Sequence, residues 1–225
     1  MKLNNTAWLF DLDGTLVDSV NQIGIAINRV RREFGYRELT ISAIQELVGL
    51  PIDFFLRDLR LNLAEEKEVI FRFREVLEIE ILHGNQIFPG VEEFLTKLKY
   101  QGAKMGIATS KPTYLAKLVI KNSALNNLFD VIQGTEGFPA KPDPTSIQKA
   151  MLRLETNNAI MVGDRIEDIQ AALAAGIDSI GIAHSFHNKT ILEAAGAIYA
   201  FDTFLEFTHF YEFHRPLVGH RRLAT

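Results

Sequence analysis

Short runs of apolar residues recur along the chain, and turn residues and then a segment with helical spacing follow each run. The three clearest runs are AWLF at 7–10, KMGIAT at 104–109 and AIMVG at 159–163. Three weaker runs are FDVIQ at 129–133, DSIGIA at 178–183 and AIYAF at 197–201. Because strands that alternate with helices form parallel sheets covered on both faces, this pattern predicts an α/β fold.

The segment from about 20 to 87 departs from this alternation, since its apolar residues recur at helical spacing without a clear strand. Its first helix is indicated by Ile23, Ile27, Val30 and Phe34. The earlier pattern resumes after Phe88, Pro89 and Gly90. We therefore expect two units, which are a core formed by residues 1–17 and 88–225 and an all-helical insert formed by residues 18–87.

The composition is that of a globular protein, with 47% hydrophobic and 23% charged residues and a formal net charge of -4 among 225 residues. This balance argues against nucleic acid as a partner. The absence of cysteine excludes disulfides, thiolate nucleophiles and cysteine-ligated zinc. No stretch reaches membrane-spanning length, and the first apolar run is too short for a signal peptide. We expect a soluble, cytoplasmic protein without a membrane partner, and its oligomeric state stays open.

Two carboxylates, Asp11 and Asp13, directly follow the first apolar run in LFDLDGTLVDS at 9–19. Residues two apart on an extended chain point the same way, and open α/β sheets bind ligands beyond the carboxyl ends of their strands. Gly14 permits a tight turn or a close approach of the backbone to a ligand, and Thr15 adds a hydroxyl. Taken alone, the pair is explained equally well by solvated turn residues.

Three later stretches supply groups that could act with this pair. They are Thr109-Ser110-Lys111-Pro112 behind the second clear run, Lys141 in FPAKPDP at 138–144, and Gly163-Asp164 with Asp168 behind the third. The first would place a helix N-terminus, with its free N–H groups, where a phosphate is well received. Each stretch also has an ordinary explanation: a helix start, a solvated lysine, and a capping box formed by Asp164 and Glu167.

The four stretches, in this order, resemble the four motifs of the haloacid dehalogenase (HAD) superfamily of phosphohydrolases. The resemblance extends from Ala7 to about Phe201. The helical insert behind the first motif resembles the C1 cap of the phosphoglycolate phosphatase and β-phosphoglucomutase-like subfamily. The resemblance implies a Rossmann-like parallel sheet core with a small all-helical cap inserted after the first strand.

The same resemblance implies a Mg²⁺-dependent phosphatase that hydrolyses a small phosphorylated metabolite through an aspartyl-phosphate intermediate. Asp11 would be the nucleophile, and Asp13 would act as general acid and then as general base. The phosphate would be bound by Gly14, Thr109, Ser110 and Lys141. The Mg²⁺ would be bound by Asp11, the backbone carbonyl of Asp13 and Asp164, with Asp168 nearby.

The motifs leave the substrate open among phosphoglycolate, sugar phosphates, nucleotides and pyrophosphate. A β-phosphoglucomutase-like mutase is disfavoured, because Ile23 stands near the position of the cap histidine of such enzymes and Val48 and Ile52 flank Gly49 where basic residues would be expected. Gly49 is read equally well as part of a specificity loop and as a helix C-cap. A receiver-like phospho-aspartate signalling module, the non-enzymatic alternative, is disfavoured because no Asp ends the second clear run.

Two further features near the motifs receive ordinary roles. Asp18 is expected to cap the first helix of the insert and to have no catalytic role. His184 and His187 stand three residues apart, and without a third ligand they are expected at the surface.

Overall fold

Eight strands and ten helices are formed by residues 6–184 and 188–214, which are the residues that this computed structural model describes. The strands are β1 (Ala7–Phe10), β2 (Val17–Asp18), β3 (Gln86–Ile87), β4 (Met105–Ala108), β5 (Val131–Gln133), β6 (Ala159–Gly163), β7 (Asp178–Ile182) and β8 (Tyr199–Phe201). The helices are α1 (Val20–Glu33), α2 (Ile41–Leu47), α3 (Ile52–Leu56), α4 (Leu63–Leu82), α5 (Val91–Tyr100), α6 (Thr113–Lys121), α7 (Thr145–Arg153), α8 (Ile166–Ala174), α9 (Lys189–Ala194) and α10 (Phe204–His214).

Six of the strands form one parallel sheet in the order β5-β4-β1-β6-β7-β8, which confirms the predicted α/β fold. The strand order reverses at β1, since the chain continues to β4 on one side and returns to β6 on the other. Phe10, the last residue of β1, lies opposite Ile107 and Val162 in the neighbouring strands. The carboxyl ends of these three strands therefore meet at the switch point, where open sheets bind ligands.

The core of the protein lies on both faces of this sheet, because neighbouring residues of β1 point in opposite directions. On one face Trp8 packs against Phe94 of α5, with the ring centroids 5.7 Å apart. The ring of Trp8 also lies beside that of Phe207 in α10. Leu9 belongs to the cluster on the other face, which includes Ile147 of α7. All four residues of β1 are buried, so the strand that carries the first motif is fixed by apolar packing on both sides.

The segment between β2 and β3 contributes helices α1 to α4 and no strand of the large sheet. α1 packs along α4, and its predicted apolar residues Ile23, Ile27 and Val30 are buried. β2 and β3 pair with each other in antiparallel fashion, with Val17 opposite Ile87, so the chain enters and leaves the insert at one place. The proposed domain limits at 17/18 and 87/88 stay a prediction, and they fall on this ribbon.

Within the described parts of the chain, no helix is both long enough and apolar enough to cross a membrane. Aromatic residues of α10 pack against the core. Phe204, Phe207 and Tyr211 are buried on the inner face of α10, and the Phe94 and Phe207 ring centroids lie 4.8 Å apart.

Candidate active site

Three carboxylates converge at the switch point of the sheet. Asp11 directly follows β1, Asp164 directly follows β6, and Asp168 lies in the first turn of α8. One oxygen from each of these carboxylates lies within 4.8 Å of the others, and all three residues are at most 2% exposed. The structure thus brings together three of the predicted metal-binding residues, and the side chain of Asp13 lies outside this group.

Lys141 reaches this cluster from the loop before α7 and is itself buried. Its Nζ lies 2.8 Å from Oδ1 of Asp11, forms an ion pair with Asp168, and donates a hydrogen bond of 3.0 Å to the carbonyl of Ala108. Lys141 is therefore not the solvated surface lysine that was the ordinary explanation of its stretch. Lys141 supplies one positive charge to three carboxylates.

Burial is the largest single influence on the pKa values of Asp11, Asp164 and Lys141. It raises the pKa of Asp11 to about 6, although the charge of Lys141 acts in the opposite direction. Burial also raises the pKa of Asp164, and the charges of Asp168 and Asp11 add to this effect. For Lys141 burial lowers the pKa, but the two carboxylates outweigh burial and hold the pKa above its usual value.

The donor set of this cluster fits a divalent cation. Hard cations such as Mg²⁺ bind carboxylate oxygens, and three buried carboxylates beside one lysine retain excess negative charge. Such a charge is costly in a buried site unless it is neutralised. The cluster at Asp11, Asp164 and Asp168 can therefore hold a divalent cation.

The turn after the first strand is held against the cluster by Gly14 and Thr15. The hydroxyl of Thr15 donates a hydrogen bond of 2.5 Å to Oδ1 of Asp164. Gly14 has a φ of +87°, and a Cβ built on it would lie 2.4 Å from Oδ2 of Asp164, so both its conformation and its surroundings require glycine. The N–H of Gly14 donates to the carbonyl of Val17 and is therefore already engaged. Gly14 can still contribute by letting a ligand approach the backbone closely.

The second motif begins at Thr109, directly after β4 and beside β1 in the sheet. Thr109 is buried, and its hydroxyl oxygen accepts the N–H of Lys111 at 3.3 Å. The following helix begins at Thr113, with Pro112 at the N-cap position. Ser110 and Lys111 consequently remain in the loop and face a cavity.

Lys111 is a site residue that the sequence analysis did not identify. Its Nζ lies 2.8 Å from Oδ2 of Asp13, and both side chains are at most 6% exposed. The other carboxylate oxygen of Asp13 is buried and has no hydrogen-bond partner among the described residues. The position of Lys111 directly behind Thr109 and Ser110 could have indicated a site residue. The following Pro112 favoured the interpretation that this stretch simply begins a helix. Asp13 and Lys111 together line the cavity.

This cavity of about 310 Å³ lies between the insert and the core, next to the acidic cluster. Twelve of its nineteen lining residues are apolar, which makes its wall different in character from the cluster. The apolar side chains of the insert are Ile23, Leu50, Pro51, Ile52, Phe55, Phe73 and Leu77. Those of the core are Pro112, Leu115, Phe138, Pro139 and Ala140.

Arg165 connects the fourth motif to the insert. The sequence pattern did not indicate this connection. Its guanidinium donates from Nη1 to the carbonyls of Glu46 and Val48, at 3.1 and 3.0 Å. Gly49 follows the C-cap of α2 with a φ of +86°, and a Cβ there would lie 2.9 Å from Cδ of Arg165. Gly49 therefore directly follows the end of a helix and also lines the cavity, and its part in a specificity loop stays a prediction.

Two expectations near the motifs need correction or refinement. The box at α8 uses Asp168 in place of Glu167, since Oδ2 of Asp168 accepts the N–H of Arg165 at 3.0 Å and the helix begins one residue later than predicted. At α1 the N-cap position is Ser19, and Asp18 contributes by accepting the N–H of Val20 at 3.3 Å.

The surface position expected for His184 is wrong. The ring of His184 stacks on Phe88 with the centroids 3.7 Å apart, and its Nε2 lies 3.3 Å from the carbonyl of Thr15. The residue is 9% exposed, and burial lowers its pKa to about 4. Sequence spacing could not show this, because the contacts join residues distant in the chain. His187 lies outside the described residues.

The switch-point carboxylates, the buried lysine and the adjoining cavity are the arrangement of an α/β enzyme. The family model described as haloacid dehalogenase-like hydrolase matches residues 8–182, and the chain belongs to this family. The predicted family is thereby confirmed.

Related proteins carry the match over nearly the whole chain. A phosphoglycolate phosphatase of Colwellia psychrerythraea is 30% identical, over 88% of this chain and 93% of that protein. One of Rhodobacter capsulatus is 32% identical, over 84% and 88%. A haloacid dehalogenase-like hydrolase of known structure from Streptococcus pneumoniae has a TM-score of 0.82 at 26% identity, over 93% of this chain and 100% of that chain. The predicted enzyme class, a phosphatase of this family, is confirmed at this level.

Proposed function

We propose that the protein is a Mg²⁺-dependent phosphatase that hydrolyses a small phosphorylated metabolite through an aspartyl-phosphate on Asp11. The observation that carries the proposal is the position of Asp11, which is buried at the carboxyl end of β1 and ion-paired with Lys141 at 2.8 Å. A second carboxylate, that of Asp13, stands two residues away and faces the cavity.

In the first half-reaction, a carboxylate oxygen of Asp11 attacks phosphorus and the bond from phosphorus to the ester oxygen breaks. The departing alkoxide takes a proton from Asp13, which acts as general acid. In the second half-reaction, Asp13 takes a proton from water, and the oxygen of that water attacks phosphorus. Phosphate leaves and the carboxylate of Asp11 is regenerated.

The charge of the phosphate is the main obstacle to this attack. Two like charges 4 Å apart repel by about 4 kcal/mol at an effective dielectric of 20. Lys141 lowers this repulsion from its position beside Asp11, and Thr109 and Ser110 offer hydroxyl groups at the neighbouring strand end. A Mg²⁺ ion, held by Asp11, the Asp13 carbonyl and Asp164 with Asp168 nearby, would supply further neutralisation and polarise the phosphate.

The insert helices would serve as the cap of this active site. They supply one wall of the cavity, and Arg165 joins the end of α2 to the loop that carries Asp164. A cap in this position excludes water from the reacting atoms. A mutase is supported less well, since Ile23 contributes an apolar side chain to the cavity where such an enzyme would need a proton-transferring histidine.

A screen of purified protein with Mg²⁺ against phosphorylated metabolites tests the proposal, with phosphoglycolate first because two of the relatives carry its name. Sugar phosphates, nucleotides and pyrophosphate complete the panel. We expect phosphate release that EDTA abolishes. Formation of an isomeric sugar phosphate without net phosphate release would favour the mutase, and release that persists in EDTA would contradict the metal requirement.

A further inference from the structure

The wall of the cavity beside Asp13 is built for an apolar ligand group. Phe55 and Phe73 close it on the insert side, and Leu115 and Phe138 close it on the core side. Leu115, Phe55 and Phe73 are buried, so they are fixed parts of the wall. A cavity of about 310 Å³ with such a lining stabilises a ligand mainly by removing its apolar surface from water.

Three of the six polar side chains that line the cavity are engaged with other groups of the protein. Lys111 is paired with Asp13 at 2.8 Å, and the hydroxyl of Thr135 donates to the carbonyl of Thr109 at 3.2 Å. On the insert side the polar lining residues are Asp53, which is exposed, and Arg74. Because twelve of the nineteen lining residues are apolar, a polyhydroxylated group in this cavity would exchange most of its hydrogen bonds with water for contacts with carbon, which is unfavourable.

We propose that this cavity receives the alcohol part of the substrate and that this part is an apolar or aromatic group. The inference rests on the proposed function, because the phosphate must lie at Asp11 for its ester group to extend past Asp13 into the cavity. It narrows the substrate class away from polyols and toward phosphate monoesters of alcohols with substantial carbon surface. Ile52, at the start of α3, is the half-buried wall residue best suited to test it.

The test compares the phosphates of ethanol, butanol and hexanol, whose leaving groups are chemically alike, with glycerol phosphate, glucose 6-phosphate and phosphoglycolate. We expect kcat/KM to rise about tenfold or more from ethyl to hexyl phosphate, because each added methylene enters an apolar site. A flat or falling series overturns the inference, as does a higher kcat/KM for the polar esters than for hexyl phosphate.

The corresponding alkylphosphonates separate this inference from the proposed function, since their carbon–phosphorus bond is not cleaved by phosphate ester hydrolysis. Calorimetry in the presence of Mg²⁺ should show a Kd that falls with chain length. Binding that tightens with chain length while no ester is hydrolysed contradicts the proposed function and upholds only the preference of the cavity for apolar groups. Ester hydrolysis combined with alkylphosphonate affinities that do not depend on chain length contradicts the inference and leaves the proposed function standing.

A matched pair of variants locates the effect. Ile52→Asn places an amide in the cavity wall and should abolish the gain in kcat/KM from ethyl to hexyl phosphate. Ile41→Asn makes the same change at a position that is 56% exposed and outside this cavity, and it should keep the gain. An undiminished gain in Ile52→Asn, in a variant that melts like the wild type, contradicts the assignment of the cavity.

Discussion

Arg165 donates a hydrogen bond of 3.0 Å to the carbonyl of Val48, a residue 117 positions away in the chain. Val48 is the C-cap of α2, so the guanidinium lies where a helix has unpaired carbonyls and a partial negative charge. The preceding residue, Asp164, belongs to the acidic cluster. One side chain thus links the position of the insert to the loop that carries the cluster.

Replacing Arg165 by Gln should therefore impair catalysis through the position of the insert. The variant loses charged hydrogen bonds to two carbonyls, each of which contributes about 1.5 to 3 kcal/mol, and we expect kcat/KM to fall at least about tenfold. Steady-state kinetics with Mg²⁺ measure this effect. Arg165→Lys should recover part of it, because an ammonium group still reaches one carbonyl.

Arg57 provides the control for this prediction. It is exposed and stacks over the ring of Phe54 without joining the insert to the core, so Arg57→Gln should leave kcat/KM unchanged. Equal kcat/KM values in Arg165→Gln and in the wild type would show that this link has no role in catalysis.

The buried pair of Lys111 and Asp13 should behave as a unit. Lys111→Met leaves the Asp13 carboxylate buried without its partner, and the free energy of unfolding should fall by about 3 kcal/mol or more. Combining it with Asp13→Asn should restore part of the loss, because no unpaired charge remains. Denaturant unfolding of the two single variants and the double variant measures this coupling.

The exposed pair of Lys99 and Asp130 serves as the comparison, since both side chains are more than a third exposed. A double-mutant cycle on that pair should give a coupling of at most about 1 kcal/mol. If the buried pair gave a coupling as small as this, the ion pair would not be a fixed part of the site.

The elements that the sequence predicted best were those with a long local pattern. The buried strands ending at Phe10 and Gly163 came from continuous apolar runs, and the motif residues Asp11 and Asp164 followed because each stands directly behind its run. What could not be predicted joins distant segments or lacks periodicity. The ribbon of β2 and β3 has two residues per strand, which is too short to show alternation.

The missed contacts have a similar origin. Lys111 and Arg165 are long side chains in loops, and their partners are set by the tertiary fold and not by neighbours in sequence. His184 was misplaced because its burial depends on a ring contact with Phe88. Chemistry at strand ends was therefore predictable, and connections between the insert and the core were not.

Mg²⁺ should stabilise the folded protein, because Asp11, Asp164 and Asp168 hold excess negative charge in a buried site. At a hundredfold excess over Kd, a ligand that binds the folded state alone contributes about 2.7 kcal/mol. Thermal unfolding with Mg²⁺ and with EDTA measures the difference in Tm. Asp164→Asn should lose most of this difference while remaining folded, since its amide oxygen can still accept from Thr15.

Glu68→Gln, which removes one negative charge from an exposed position of α4, should keep the full difference. A Tm that Mg²⁺ raises equally in Asp164→Asn and in the wild type would place the cation elsewhere.

His184 should make the protein less stable as the pH falls. Its pKa is about 4 in the folded state, against an ordinary 6.5, because burial disfavours the charged ring and outweighs the Thr15 carbonyl and the Asp18 charge. Below pH 6.5 the unfolded chain binds a proton at His184 while the folded protein does not. The free energy of unfolding therefore decreases as the pH falls from about 6.5 to about 4. The loss should reach at most about 3 kcal/mol.

Unfolding free energies measured across this pH window for the wild type and His184→Gln isolate the contribution, since the carboxylates are common to both proteins. The variant should show the weaker pH dependence. His83→Gln removes a histidine whose side chain is 70% exposed and should follow the wild type. Identical curves for His184→Gln and the wild type would contradict a buried neutral histidine.

Asp11→Asn should abolish phosphate release, because an amide is a poor nucleophile and does not replace the carboxylate beside Lys141. Asp18→Asn is the matched control from the same stretch, since Asp18 accepts a backbone N–H and its amide can still do so. We expect Asp18→Asn to retain activity. Full activity in Asp11→Asn would remove Asp11 from the reaction.

The identity of the phosphorylated residue tests the central claim most directly. The wild-type protein would be mixed with a radiolabelled phosphate monoester and Mg²⁺, quenched in acid during the first turnovers, and mapped by peptide mass spectrometry. The proposed mechanism predicts an acid-stable label on Asp11. A label on another residue, in place of Asp11, would contradict an aspartyl-phosphate at Asp11.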